Sequence, residues 1–340
     1  MESNVKRLFL CKSFNWTLVL LALALVMTGC TQSGDVSEGE KLREVTLVLD
    51  WVPNTNHTGF YVADQLGYFS EEGLKVSIIQ PTQGGSTELV AAGQGEFGIS
   101  YQEQITYART ARDPLPVTAI AAIIQHNTSG FASAADKNIL RPKDFEGMTY
   151  GGWGSPVEDA MLELLMTTDG GDYAELSTTN IGTLDFFDAV SNHVDFAWIY
   201  YGWDGVAAEL NGFDINFILL QEYGEVLNFY TPVLMTSETL IEEDPELIAS
   251  FLRASSRGYA FAMENPEEAA SILLEEVPEL DHDIVVASQI YLADQYQADA
   301  ERWGEMKLEV WINYAHWMYR EGLLENPLDA NNAFTNQFIP

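Results

Sequence analysis

The sequence predicts an α/β protein made of two lobes, each a mostly parallel sheet flanked by helices. Three observations carry this. Short apolar runs of strand character alternate with helical periodicity over residues 45–111 and again over 148–198, the pattern of βαβ units. An acidic-aromatic-small-apolar phrase occurs once in each series, as Glu96-Phe97-Gly98-Ile99 and as Asp195-Phe196-Ala197-Trp198. The chain has 340 residues, 47% of them hydrophobic, which is long for one core and suits two.

Residues 1–30 have the form of an export signal. Lys6, Arg7 and Lys12 precede an apolar core over 16–27, shorter than the ~20 residues a membrane-spanning helix needs. The segment ends Met27-Thr28-Gly29-Cys30. Small residues directly before a cysteine resemble a lipoprotein cleavage box, which makes Cys30 the expected lipidated residue and membrane anchor. Residues 31–43 are polar and contain Gly and Ser, as a flexible tether does.

The first series predicts strands at 45–50, 75–80, 96–100 and 117–124, with helices at 58–66, 86–93 and 102–111. The second predicts strands at 148–152, 177–181 and 194–198, with helices at 156–168 and 184–191. The chain is expected to cross between lobes near Asn127–Gly130 and again near Phe229–Pro232. Beyond Pro232 it reads as helical, over 245–264, 266–276, 281–292, 301–321 and 329–337. Pro245, Pro266 and Pro327 sit near helix starts, where a missing N–H costs nothing. The expected division is 44–127 with 232–340 for lobe one and 128–231 for lobe two.

The net charge is −35, from 51 acidic and 16 basic residues. Such a surface does not bind a nucleic-acid backbone, which needs clustered Lys and Arg; it favours solubility and self-repulsion. The only cysteines are Cys11 and Cys30, both near the start of the chain. No disulfide framework, cysteine nucleophile or zinc cluster is expected in the remainder. His57, His126, His193, His282 and His316 are scattered without metal-ligand spacing, so neither metal nor cofactor is expected.

The candidate site starts at the run Asp50-Trp51-Val52-Pro53-Asn54-Thr55-Asn56-His57. It leaves the carboxyl end of the first strand, where open α/β sheets place ligands. Asp50, Trp51, Asn54 and His57 combine a flat aromatic with donors and acceptors, which suits a planar, polar heterocycle. Glu103, with Gln102 and Tyr101 beside it, follows the strand at 96–100; a carboxylate there could accept from an exocyclic amine and a ring N–H. Gly151-Gly152-Trp153-Gly154-Ser155-Pro156 is a strand-to-helix turn whose N–H groups could hold an anion or a carbonyl. Trp153, Gly154, Ser155 and Glu158 are therefore candidates, and Ser155 could equally cap the helix. Trp198, Tyr200, Tyr201 and Trp203 stand near a strand end. Tyr200 and Tyr201 point to opposite faces if extended, and Tyr201 is the one expected in the cleft. Tyr230, at the second crossing, completes the set. Core packing is the competing expectation for every aromatic, and is preferred for Trp203 and Trp303.

The run Leu49-Asp50-Trp51-Val52-Pro53-Asn54-Thr55-Asn56-His57-Thr58-Gly59 resembles the first motif of the thiamine-pyrimidine family of solute-binding proteins. Gly98–Gln104, Gly151–Glu158, Asp195–Trp203 and Ala298–Gly304 resemble further blocks of it, in the same order. The resemblance spans 44–340. It implies a type II periplasmic-binding-protein fold, a small heterocyclic ligand, a permease and ATPase of an ABC importer as partners, and attachment to the membrane through lipid. The implied ligand is a formylated aminopyrimidine or the hydroxymethyl pyrimidine of thiamine, with a flavin as the other candidate. The family also includes yeast thiamine pyrimidine synthases, which use a Schiff-base lysine, a donor histidine and a cysteine cluster. Ser100 and Gln104 stand where the resemblance places that lysine and histidine, and 219–233 contains no cysteine. A binding protein without catalytic residues is therefore expected.

Overall fold

The computed structural model describes residues 41–81, 85–182 and 184–340. The leader, Cys30 and most of the tether lie outside the described residues.

Two five-stranded sheets organise the chain. The first contains β1 (Arg43–Val48), β2 (Leu74–Ile79), β3 (Phe97–Ser100), β4 (Val117–Ala122) and, from much later, β10 (Val233–Ser237). Their order is β2-β1-β3-β10-β4. The second contains β5 (Ser129–Ala134), β6 (Thr149–Gly152), β7 (Ser177–Asn180), β8 (Phe196–Tyr200) and β9 (Ile215–Leu219), in the order β7-β6-β8-β5-β9. In each sheet one strand opposes the rest: β10 runs antiparallel to β3 and β4, and β5 to β8 and β9. The two sheets thus share one plan, as the repeated acidic-aromatic phrase suggests: Phe97 opens β3 and Phe196 opens β8.

Burial explains the strands. Every residue of β4, Val-Thr-Ala-Ile-Ala-Ala, is buried, as befits a strand covered on both faces. Phe97 stacks on Phe251 at 3.9 Å between ring centroids, and Phe145 on Phe196 at 4.1 Å, so each sheet rests on an aromatic pair.

The helices at Pro245–Glu264 and Pro266–Glu276 start and stop where the prolines predict. The first packs closely on the Thr58–Gln65 helix that follows the Asp50 turn. A Cβ on Gly258 would lie 1.9 Å from the Gly59 carbonyl oxygen, so only glycine allows this approach. The tail differs from expectation at 301–307, which is no helix but a strap against the end of β4. Ala122 N–H donates to the Gly304 carbonyl at 2.9 Å, and the Trp303 indole to the Ile123 carbonyl at 3.3 Å. The helix begins only at Leu308 and runs to Arg320. It joins both halves: Trp311 packs among β4 and β10 residues, whereas Tyr314, Trp317 and Met318 pack in the core of the second sheet.

Three strands are not legible in the sequence. Ser129-Gly130-Phe131-Ala132-Ser133-Ala134 (β5) is too small and polar to register as a strand. The strand Ile215–Leu219 (β9) falls in a stretch to which the sequence assigns no element. The five residues of β10 lie inside a segment that reads as helical after Pro232. Tertiary pairing decides all three. Among the described residues no helix is long and apolar enough to cross a membrane.

Candidate functional site

The turn after β1 is built around one carboxylate. The Asn54 side chain accepts from Asn56 N–H at 2.9 Å, while Asn54 N–H donates to His57 Nδ1 at 3.2 Å. With Nδ1 accepting, the ring proton sits on Nε2, which donates to Asp50 Oδ1 at 2.8 Å. The Tyr101 hydroxyl donates to Asp50 Oδ2 at 2.6 Å. Burial raises the Asp50 pKa, but the bonds from His57 and Tyr101 outweigh it and hold the carboxyl below its ordinary value. Asp50, Asn54 and His57 therefore fix the turn itself. What the turn presents is Trp51, which is 57% exposed.

Glu103 lies in the first turn of the Gln102–Thr110 helix. Burial and the nearby Glu158 carboxylate push its carboxyl up to about 7. Tyr314 partly offsets this, although its buried hydroxyl makes no hydrogen bond of ordinary geometry. Gln102 instead points into the core: its carbonyl accepts from Tyr230 N–H at 2.8 Å.

From the second sheet, β6 ends in the glycine-rich turn. Glu158 is buried and spends its oxygens on that turn. Oε1 accepts from the Tyr150 hydroxyl at 2.5 Å and Trp153 N–H at 3.2 Å, and Oε2 from Ser155 N–H at 2.7 Å. Ser155 is thus the N-cap of the Pro156–Thr168 helix, its backbone secured from below. A Cβ on Gly152 would fall 2.1 Å from Glu158 Oε1, so glycine is needed for the carboxylate to reach. Gly154 takes a left-handed φ of +87°. The turn delivers Trp153, 46% exposed, whose ring lies 5.2 Å from that of Trp198. Trp198 Nε1 is buried and unpartnered.

Two candidate tyrosines are packed against protein. Tyr201 packs on Phe217 and Tyr291 at 5.0 and 5.3 Å, and its hydroxyl donates to Glu209. Its neighbour Tyr200 is the last residue of β8. Tyr200 is 38% exposed; burial, then the Glu103 and Asp50 carboxylates, push its hydroxyl up to about 12 against a bond with Thr231. Tyr230 is buried in the first sheet's core, where its hydroxyl accepts from Lys307 N–H at 2.8 Å.

Sequence reasoning missed Asp204 and Tyr314. Burial, then the nearby Asp185, pushes Asp204 up to about 6, against bonds from the backbone of Tyr200 and of Asp204 itself. With Gly152, Trp153, Leu184 and Trp198 it lines a cavity of about 120 Å³ at the carboxyl ends of β6 and β8. Tyr314 comes from the Leu308–Arg320 helix, far along the chain, and no local pattern announces it. A larger hollow of about 460 Å³ lies at the other end of the sheet, lined by Lys137, His193 and Asp195. Lys137 and Asp195 pair there at 2.6 Å. That end is the wrong one for a ligand in an open α/β sheet.

The family model described as NMT1/THI5 like matches residues 54–269. A formylaminopyrimidine-binding protein of Halalkalibacterium halodurans is 31% identical, over 96% of this chain and 99% of its own. The chain belongs to the NMT1/THI5-like family. A riboflavin-binding protein of Chloroflexus aurantiacus is 27% identical over 88% of this chain and 87% of its own. A 4-amino-5-hydroxymethyl-2-methylpyrimidine phosphate synthase of Legionella pneumophila is 26% identical over 87% and 92%. Among solved structures, the ligand-binding component of an ABC-type import system from Staphylococcus aureus matches with TM-score 0.66 and 12% identity, covering 87% of this chain and 98% of its own. The periplasmic aliphatic sulphonate-binding protein of Escherichia coli matches with TM-score 0.63 and 15% identity, covering 85% and 91%. The fold is thus the two-lobed one of periplasmic binding proteins. Within this NMT1/THI5-like chain, Ser100 is buried and bonded to Thr87 at 2.9 Å between hydroxyl oxygens, and Gln104 is exposed.

Proposed function

We propose that this chain is the extracytoplasmic receptor of an ABC importer and that it captures a thiamine-type aminopyrimidine between its lobes, a formylaminopyrimidine before a hydroxymethyl one. The observation that carries the reading is the pair of exposed indoles, Trp51 and Trp153, each at the carboxyl end of a leading strand of its own sheet; the nearness of Glu103 to Glu158 of the glycine-rich turn supports it. Lobe closure brings rings from both sides onto a planar ligand, and Glu103 accepts from its amino edge. The formylaminopyrimidine-binding relative supports this ligand. Riboflavin is the second reading, supported by the riboflavin-binding relative and by the same aromatic surfaces.

In this proposal the lobes are residues 44–127 with 232–340 and residues 128–231, Cys30 carries the lipid anchor, and a permease and ATPase receive the ligand. The protein catalyses nothing: buried Ser100 offers no amine for a Schiff base, and no cysteine lies in 219–233. Calorimetric titration with formylaminopyrimidine and with riboflavin tests the ligand. Stacking on an aromatic is worth roughly 1–3 kcal/mol, so Trp51→Ala is expected to weaken binding about ten- to a hundredfold. Parent-like affinity in a folded Trp51→Ala protein would remove the cleft from the account.

A further inference from the structure

Resting on that reading, we infer that the cleft sorts ligands by charge, admitting neutral or protonated heterocycles and rejecting their phosphorylated forms, with Glu103 and Asp204 as the specificity-determining residues. The carboxylates of Asp50, Glu103, Glu158 and Asp204 come to this region from four different elements. Asp50 and Glu158 are fully engaged by His57, Tyr101, Tyr150 and the glycine-rich turn. Glu103 makes no hydrogen bond of ordinary geometry, and the wholly buried Tyr314 hydroxyl beside it makes none either. A buried hydroxyl and a carboxyl that lie side by side without a well-formed bond leave hydrogen-bonding capacity that a ligand completes. Among the described residues, no lysine or arginine pairs with Asp50, Glu103, Glu158 or Asp204; the one basic side chain that bonds any of them, His57, donates to Asp50.

A phosphate ester in such a cleft would meet acidic groups with no Arg or Lys to pair with. Like charges brought together in a desolvated site repel strongly, and a site can gain selectivity from that repulsion alone. An amino group or ring N–H instead supplies the donor that Glu103 lacks.

The test uses two pairs on the mature chain by calorimetry at about pH 8, above the value of Glu103. One is 4-amino-5-hydroxymethyl-2-methylpyrimidine against its phosphate monoester; the other is riboflavin against its 5′-phosphate. In whichever pair binds, the free compound is expected to bind at least about a hundredfold tighter. Glu103→Gln and Asp204→Asn are each expected to narrow that ratio about tenfold, and the second variant serves if the first does not fold. A phosphorylated ligand binding as tightly as the free one overturns the inference, and so does a ratio unchanged in both variants. Binding of riboflavin alone removes the pyrimidine reading and leaves charge sorting to be decided by the flavin pair. Binding of none of the four removes both.

Discussion

Glu103 sits where burial and a second carboxylate both resist its ionisation, so its carboxyl titrates near neutrality. Its folded-state value of about 7 lies above the ordinary 4.5. Between those values the folded protein binds more protons than the unfolded one, so stability falls as pH rises. Asp204, raised from 3.8 to about 6, contributes with the same sign over its own window. Asp50 acts oppositely, since its lowered value means that its contribution is lost only in acid. The melting temperature of the ligand-free protein should therefore decline from about pH 4.5 to about pH 7, and Glu103→Gln should flatten the upper part of that decline. An identical slope in the variant would show that Glu103 is not the titrating group. Glu103 and Trp51 were legible as candidates because local chemistry placed them at strand ends. Tyr314 was not, because only the packing of a distant helix brings it to the cleft.

The two turns that carry the exposed indoles are each fixed by a buried carboxylate, Asp50 in one and Glu158 in the other. The glycine-rich turn depends on Gly152 leaving room for Glu158. Gly152→Ala forces that side chain away from Tyr150, Trp153 and Ser155, and overpacking of this kind costs about 1–3 kcal/mol. Chemical denaturation should show a loss of that order, and a ligand titration should show a parallel loss of affinity as Trp153 shifts. Unchanged stability would mean that the carboxylate does not hold the turn. Helices bounded by proline, such as Pro245–Glu264, were readable to the residue, because the missing N–H marks a start. Strands β5, β9 and β10 were not, since their pairing across long sequence separations outweighs weak local preference. The same limit explains Tyr201: alternation puts two neighbouring tyrosines on opposite faces, and only tertiary structure shows that Tyr201 packs against Phe217 and Tyr291.

At the scale of the molecule, two sheets of one plan are joined by two crossings, between β4 and β5 and between β9 and β10. The crossings are tied side by side. Asn127 N–H donates to the Asn228 side chain at 3.0 Å, and the Asn127 amide to the Leu227 carbonyl at 2.9 Å. Paired crossings of this kind permit hinge closure, which a ligand bridging both lobes biases. Small-angle scattering should show a smaller radius of gyration at saturating ligand, and an unchanged radius would contradict closure unless the free form is already closed. The net charge of −35 speaks to solubility and to the charge of what the cleft admits, and the fold is indifferent to it. The most direct measurement is a crystal structure of the mature chain with formylaminopyrimidine. The account predicts the pyrimidine ring stacked on Trp51, an aromatic of the second lobe over its other face, and its amino edge within hydrogen-bonding distance of Glu103. A pyrimidine bound away from Trp51 and Glu103, or seated in the hollow beside Lys137 and Asp195, would contradict it.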